Sequence, residues 1–81
     1  MKTPQITKYY FQHVLRRYRL ASGLTQEQMS GFLGVSRGFY SLLELGKRWP
    51  NVDMVIRIAE VLNVLPGDLV NALVEESKKK L

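Results

Sequence analysis

Eighty-one residues with twelve Lys and Arg, seven Asp and Glu, one His and no Cys make one small domain, near the size at which a single core is only marginally stabilising and a partner subunit often helps. Without cysteine neither a disulfide framework nor a thiolate metal site is available, and His13 alone makes no metal cluster, so no metal or cofactor is expected and a reducing cytoplasm fits. No apolar run approaches the roughly 18 residues of a membrane span and the start MKTPQITKYY lacks the apolar stretch of a signal peptide, so a soluble, cytoplasmic protein is expected.

In chain order, Thr3 and Pro4 can cap and open a long first helix running to about Ser22, with Ile6, Tyr10, Val14, Leu15 and Tyr18 at near-helical intervals and Gly23 at its end. Residues 1–10 have a second reading, as a mobile basic arm carrying Lys2 and Lys8. Thr25 is a good N-cap for a second helix in which Met29, Phe32 and Leu33 follow at helical spacing. Gly34 ends it, because a left-handed residue is common just past a helix end and glycine takes that conformation without strain. Val35 fills the corner and Ser36 caps a third helix, in which Tyr40, Leu43 and Glu44 form one face and Gly38, Leu42 and Leu45 the opposite one. One face packs and the other is presented. Residues 25–45 thus read as two short helices joined by a tight turn, the second slim enough to enter a DNA major groove. GKRWPN is a loop by its Gly and Pro content, and Asn51 caps a fourth helix over Val52 to Leu62 with Val55, Ile58, Ala59 and Leu62 as its buried stripe. A fifth helix, 66–79, opens at Pro66, carries Leu69, Val70, Leu73 and Val74 along one side, and has lysines at its negative dipole end. The predicted fold is all-α, a single domain over 1–81 that packs as a compact bundle of about five helices, without repeats or linkers.

The net charge of +5 is unevenly placed: residues 1–48 hold eight basic and two acidic side chains, residues 49–81 four and five. The positive end is the end with the paired short helices. A polyanion is the natural partner of such a surface, because each neutralised phosphate releases condensed counterions; a face kept basic for solubility is the plainer alternative.

From about Leu15 to Val70 the chain resembles the phage-repressor/Cro-like, or XRE-type, helix-turn-helix family, whose domain is the lambda-repressor-like one. The likeness is carried by LRRYRLASGLTQEQM, by LGVSRGFYSLLELGKRWP, and by MVIRIAEVLNV followed by DLV, in the family's order and spacing. Together these are a specific signal, where LGVS or LTQ alone is weak. The resemblance implies a bundle of about five helices that binds double-stranded operator DNA of pseudo-palindromic sequence, usually as a two-fold dimer. Arg19 and Glu44 resemble the family's internal ion pair; a guanidinium binds a carboxylate with two parallel hydrogen bonds and so ties helix 1 to helix 3. Gln26 matches the glutamine that contacts a DNA phosphate and braces the recognition helix, since an amide can both donate and accept. Arg37, just past the Ser36 cap, is the leading base reader, able to bind guanine bidentately, with a phosphate contact as its alternative. Gly38, Ser41 and Leu42 complete the base-facing set, while Ser36, Lys47 and Arg48 hold the DNA backbone.

Departures from the family pattern bear on the site. The outward positions Gly38, Leu42 and Leu45, with Phe39 at the edge, leave a thin hydrogen-bonding code. Leu42 and Phe39 can pack on thymine methyl groups or, equally, bind protein. Phe32 stands where a charged residue is commoner, and Trp49, where a small polar one is, is expected to pack over the loop before helix 4. Ser30 replaces the usual alanine, Gly31 weakens helix 2, and Leu65 replaces the polar cap of helix 5, leaving Pro66 to set its start alone. Leu69, Leu73 and Val74 are the expected homodimer contacts, because helix 5 keeps an apolar stripe past the usual core; packing of that stripe on helix 1 is the alternative. No Ser/His/acid set, carboxylate pair or phosphate-cradling loop is visible, so an enzyme is not expected, nor a small-molecule ligand. A sequence-specific regulator of the repressor, restriction-modification controller or antitoxin kind is the leading function, and a protein-interaction module on the same scaffold is the alternative.

Overall fold

Five helices make up the computed structural model, which describes residues 6–80 and the side chains of residues 11–78. They are α1 (Ile6–Ala21), α2 (Gln26–Leu33), α3 (Arg37–Glu44), α4 (Val52–Leu62) and α5 (Pro66–Lys80). Residues 6–10 are helical, so the arm reading of residues 1–10 does not hold for them; its remainder, and the cap assigned to Thr3 and Pro4, lie outside the described residues.

Helices α2 to α5 each begin on a side chain that satisfies free amides. Thr25 and Gln28 form a reciprocal box: the Gln28 N–H donates to Thr25 Oγ1 at 3.0 Å and the Thr25 N–H donates to Gln28 Oε1 at 2.9 Å. Ser36 Oγ accepts from the Phe39 N–H and Asn51 Oδ1 from the Met54 N–H. Pro66 does not open α5 alone. The Leu65 N–H donates to the Asp68 carboxylate at 3.1 Å, the acidic half of a capping box that works without a polar residue at position 65. At the other ends the chain turns through left-handed residues. Gly34, at φ 73°, closes α2, with the Val35 N–H returning to the Ser30 carbonyl. Gly46, at φ 75°, follows α3 in the same way, with the Lys47 N–H returning to the Leu42 carbonyl.

Phe11, Val14, Leu15 and Arg19 line one face of α1, with spacing that keeps them on a single stripe. They meet Leu69 and Leu73 of α5 and Tyr40 and Leu43 of α3, while Met29 and Leu33 of α2 and Ile58, Ala59 and Leu62 of α4 close the same core. Burying a Leu or Ile side chain stabilises by about 1.5–3 kcal/mol, so these twelve buried apolar residues are what hold five short helices together.

Packing redraws the surface expected of α5. Leu69 and Leu73 do not face outward: at 1 % and 8 % exposure they are spent on the monomer's own core, under Phe11. Of the three residues expected to contact a second copy, Val74 is half-buried and keeps some surface, and the exposed member of the stripe is Val70. Trp49, expected to pack over the loop before α4, keeps 51 % of its surface exposed. Phe39, half-buried, leans on the core from the edge of the outward face.

Candidate nucleic-acid interface

The site begins with how α3 is held. Arg19 projects from α1 with its side chain nearly buried, and its Nε and Nη2 donate to Glu44 Oε2 and Oε1 at 2.5 and 3.0 Å. Its Nη1 donates to the Leu24 carbonyl at 2.8 Å, so one planar guanidinium fixes both the end of α3 and the loop before α2. Gln26, the first residue of α2, donates its amide to Glu44 Oε1 at 3.1 Å. Glu44 therefore receives hydrogen bonds from α1 and α2 together, and the recognition angle of α3 is set by three helices meeting at one carboxylate.

Electrostatics follow from that geometry. Burial alone would push the Glu44 carboxyl upward, but the hydrogen bonds from Arg19, joined by the one from Gln26, outweigh it and hold the group below its ordinary value. The bond to Glu44 raises Arg19 in turn against the opposing effect of burial. Tyr40, wholly buried beside the pair, has its phenol pushed far up, first by burial and then by its closeness to the Glu44 carboxylate. Its hydroxyl makes no hydrogen bond of normal geometry.

On the outer side the arrangement is open. Arg37 is exposed at the start of α3, across a shallow depression of about 660 Å³ shared with Thr25, Gln26 and Glu27 at the start of α2. Ser36 and Gly38 are exposed beside it, Ser41 and Leu42 are half-buried, and Lys47 and Arg48 stand exposed in the loop that leaves α3. The first turns of α2 and α3 thus present free N–H groups and a guanidinium to the same side, which suits an anion. Gln26 uses one amide hydrogen on Glu44 and keeps a second donor. The part of its expected role in which it accepts from a neighbour is replaced by donation, because the neighbour is a carboxylate.

The basic side chains are less available than their count suggests. Arg19 is consumed internally, and Arg17 pairs with Glu76 of α5 at 3.0 Å. Arg57, from α4, donates to the Leu33 carbonyl at the end of α2. That last contact has no short-range signature in the sequence, since the partners lie 24 residues apart. The Gln28 half of the α2 box did have one, in the T-x-x-Q spacing. Among the described residues no three His, Cys, Asp or Glu side chains converge on a point that could hold a metal ion.

A short braced pair of helices with an exposed second member defines a helix-turn-helix protein, and residues 15–69 match the helix-turn-helix family. The chain belongs to that family, in its XRE-type branch. It is 32 % identical over 76 residues to YqaE, an uncharacterized HTH-type transcriptional regulator of Bacillus subtilis, an alignment covering 88 % of this chain and 66 % of that protein. The chain therefore spans about two thirds of the length of that relative. Among solved structures, the restriction-modification controller protein C.AhdI from Aeromonas hydrophila superposes with a TM-score of 0.70 at 30 % identity, over 79 % of this chain and 94 % of the other. A mutant of the controller protein C.Esp1396I superposes with a TM-score of 0.80 at 25 % identity, over 98 % of each chain.

Proposed function

We propose that this chain is a sequence-specific double-stranded DNA-binding transcriptional regulator. The observation that carries the reading is the fixed presentation of α3, whose inner face is locked through Glu44 while its first turn, with Arg37, is left open. Membership of the XRE-type family supports it. In this reading Arg37, Gly38, Ser41 and Leu42 meet base edges, and Gln26, Ser36, Lys47 and Arg48 meet the phosphate backbone. Repressor, controller and antitoxin roles all fit such a domain, and the likeness to two restriction-modification controllers makes control of that kind the first to test. The work is done in the cytoplasm, and no cofactor takes part in it.

The regulator acts as a homodimer on a pseudo-palindromic operator. One recognition helix reads few base pairs, so specificity calls for two, placed roughly 34 Å apart on successive turns of the major groove. An apolar groove of about 540 Å³ supports this arrangement; Leu69 and Leu73 form its floor, and Val52, Ile56, Val70 and Val74 its rim. It lies in the half of the chain that is close to neutral, where two copies do not repel.

Selection of bound sites from a random duplex pool, followed by salt titration on the winner, tests the reading. Enrichment of a symmetric site whose affinity falls steeply with salt is the expected result. Enrichment of no duplex would sink it and leave the protein-interaction alternative, to which the 66 %-exposed Phe32 would then point.

A further inference from the structure

Gly38 is a glycine for which the fold has no use. It is the second residue of α3, its φ is not in the left-handed region, and a Cβ built on it meets nothing within 4 Å. Gly34 and Gly46, in contrast, sit at φ 73° and 75°. A helical glycine loses more backbone freedom on folding than alanine does, so within the chain almost any other residue would serve better.

Its surroundings supply a use outside the chain. Gly38, Ser41, Leu42 and Leu45 stand at i, i+3, i+4 and i+7 on the side of α3 turned away from buried Tyr40, Leu43 and Glu44. Leu42 is half-buried and Leu45 exposed, so a low apolar wall runs beside the missing Cβ. Exposed Arg37 lies at one end of α3, and exposed Lys47 and Arg48 at the other. These cations suit a polyanionic groove, and apart from Ser41 the face between them is apolar. The group that projects from the floor of the major groove with that character is the 5-methyl of thymine.

Resting on the reading of α3 as the recognition helix, we propose that Gly38 is a specificity-determining residue whose missing side chain admits a thymine methyl group against the α3 backbone and Leu42. The site then requires thymine at one position of each half-site, and reads it by contact rather than by hydrogen bonding.

The test uses the selected duplex and versions of it with each thymine replaced in turn by deoxyuridine, which lacks only the methyl. Wild type, Gly38→Ala and Gly31→Ala are compared; Gly31 is an exposed α2 glycine with equally open space. Both variants are expected to raise the thermal midpoint, which also shows that they fold. Wild type should lose about fourfold in affinity at one deoxyuridine position, the worth of one buried methyl group. Gly38→Ala should bind the thymine duplex about tenfold or more weakly, as an overpacked contact does, and lose nothing further at that deoxyuridine, whereas Gly31→Ala should bind as wild type. Wild-type affinity in Gly38→Ala, or indifference of wild type to every methyl removal, would overturn the inference while leaving α3 as the recognition helix. Failure of wild type to bind any duplex would overturn both.

Discussion

Arg37 stands one position past the Ser36 cap, exposed and with no ion pair among the described residues. As the long donor at the start of α3, it is expected to read one base: Arg37→Ala should cost about 1–3 kcal/mol on the preferred site and flatten the preference at one base pair. Anisotropy titrations on single-position site variants check this, and a uniform loss on all sequences would make it a phosphate contact instead. Lys47 is expected to behave in that second way. Lys47→Ala should weaken binding on every sequence alike and lower the slope of log affinity against log salt by about one. Tyr40 makes a different case, because its hydroxyl is buried without a partner while its ring fills the core. Tyr40→Phe strands nothing, so the unfolding free energy should change by less than about 1 kcal/mol, or rise. A loss well beyond that in urea titrations would mean that the hydroxyl is bonded in solution.

The joint between helices is the Arg19, Gln26 and Glu44 cluster, and its value lies in orientation as much as in energy. Removing one partner of a buried pair leaves the other charge uncompensated, so Arg19→Ala or Glu44→Ala should each destabilise by about 3–5 kcal/mol, with the double variant far less than additive. Additive losses below about 1 kcal/mol would show that the pair does no work in solution. Acid dependence gives a second handle. Because the folded Glu44 carboxyl is held below its ordinary value, the unfolded chain binds more protons in the window between the two values, and stability rises with pH across it. The contribution is complete above the unfolded carboxylate value of about 4.3 and is lost as pH falls through the folded value. Glu44→Gln should flatten that part of the profile in urea melts run from neutral into acid pH.

Burial redirects the experiment on assembly. A charge at Leu73 would strike the monomer's own core, so Leu73→Asp is expected to unfold the chain rather than dissociate it. Val70 is 49 % exposed on the rim of the apolar groove, and a charge there leaves the core alone. Sedimentation should show a folded dimer for wild type and a folded monomer for Val70→Asp. A wild type that stays monomeric from micromolar concentration upward would restrict pairing to the DNA-bound state.

Local rules made most of the architecture legible. The caps at Thr25, Ser36 and Asn51, the stop at Gly34 and the 3.6-residue apolar spacing all act within one or two turns, so reading along the chain recovers five helices and the turn between α2 and α3. Which face of a helix is spent on the core is not local. Leu69 and Val70 read alike in the sequence, yet α1 covers the first and leaves the second open, because two packed helices share only the stripe along their line of contact. The same holds for charge. Arg17, Arg19 and Arg57 count as free cations in a composition, yet the first two pair with carboxylates 59 and 25 residues away and the third is tethered to a carbonyl 24 residues away. The order and type of the elements follow from short-range sterics and hydrogen bonding, which the sequence contains in full; the electrostatic surface and the face left for a partner depend on which side chains the closed bundle brings within reach of one another.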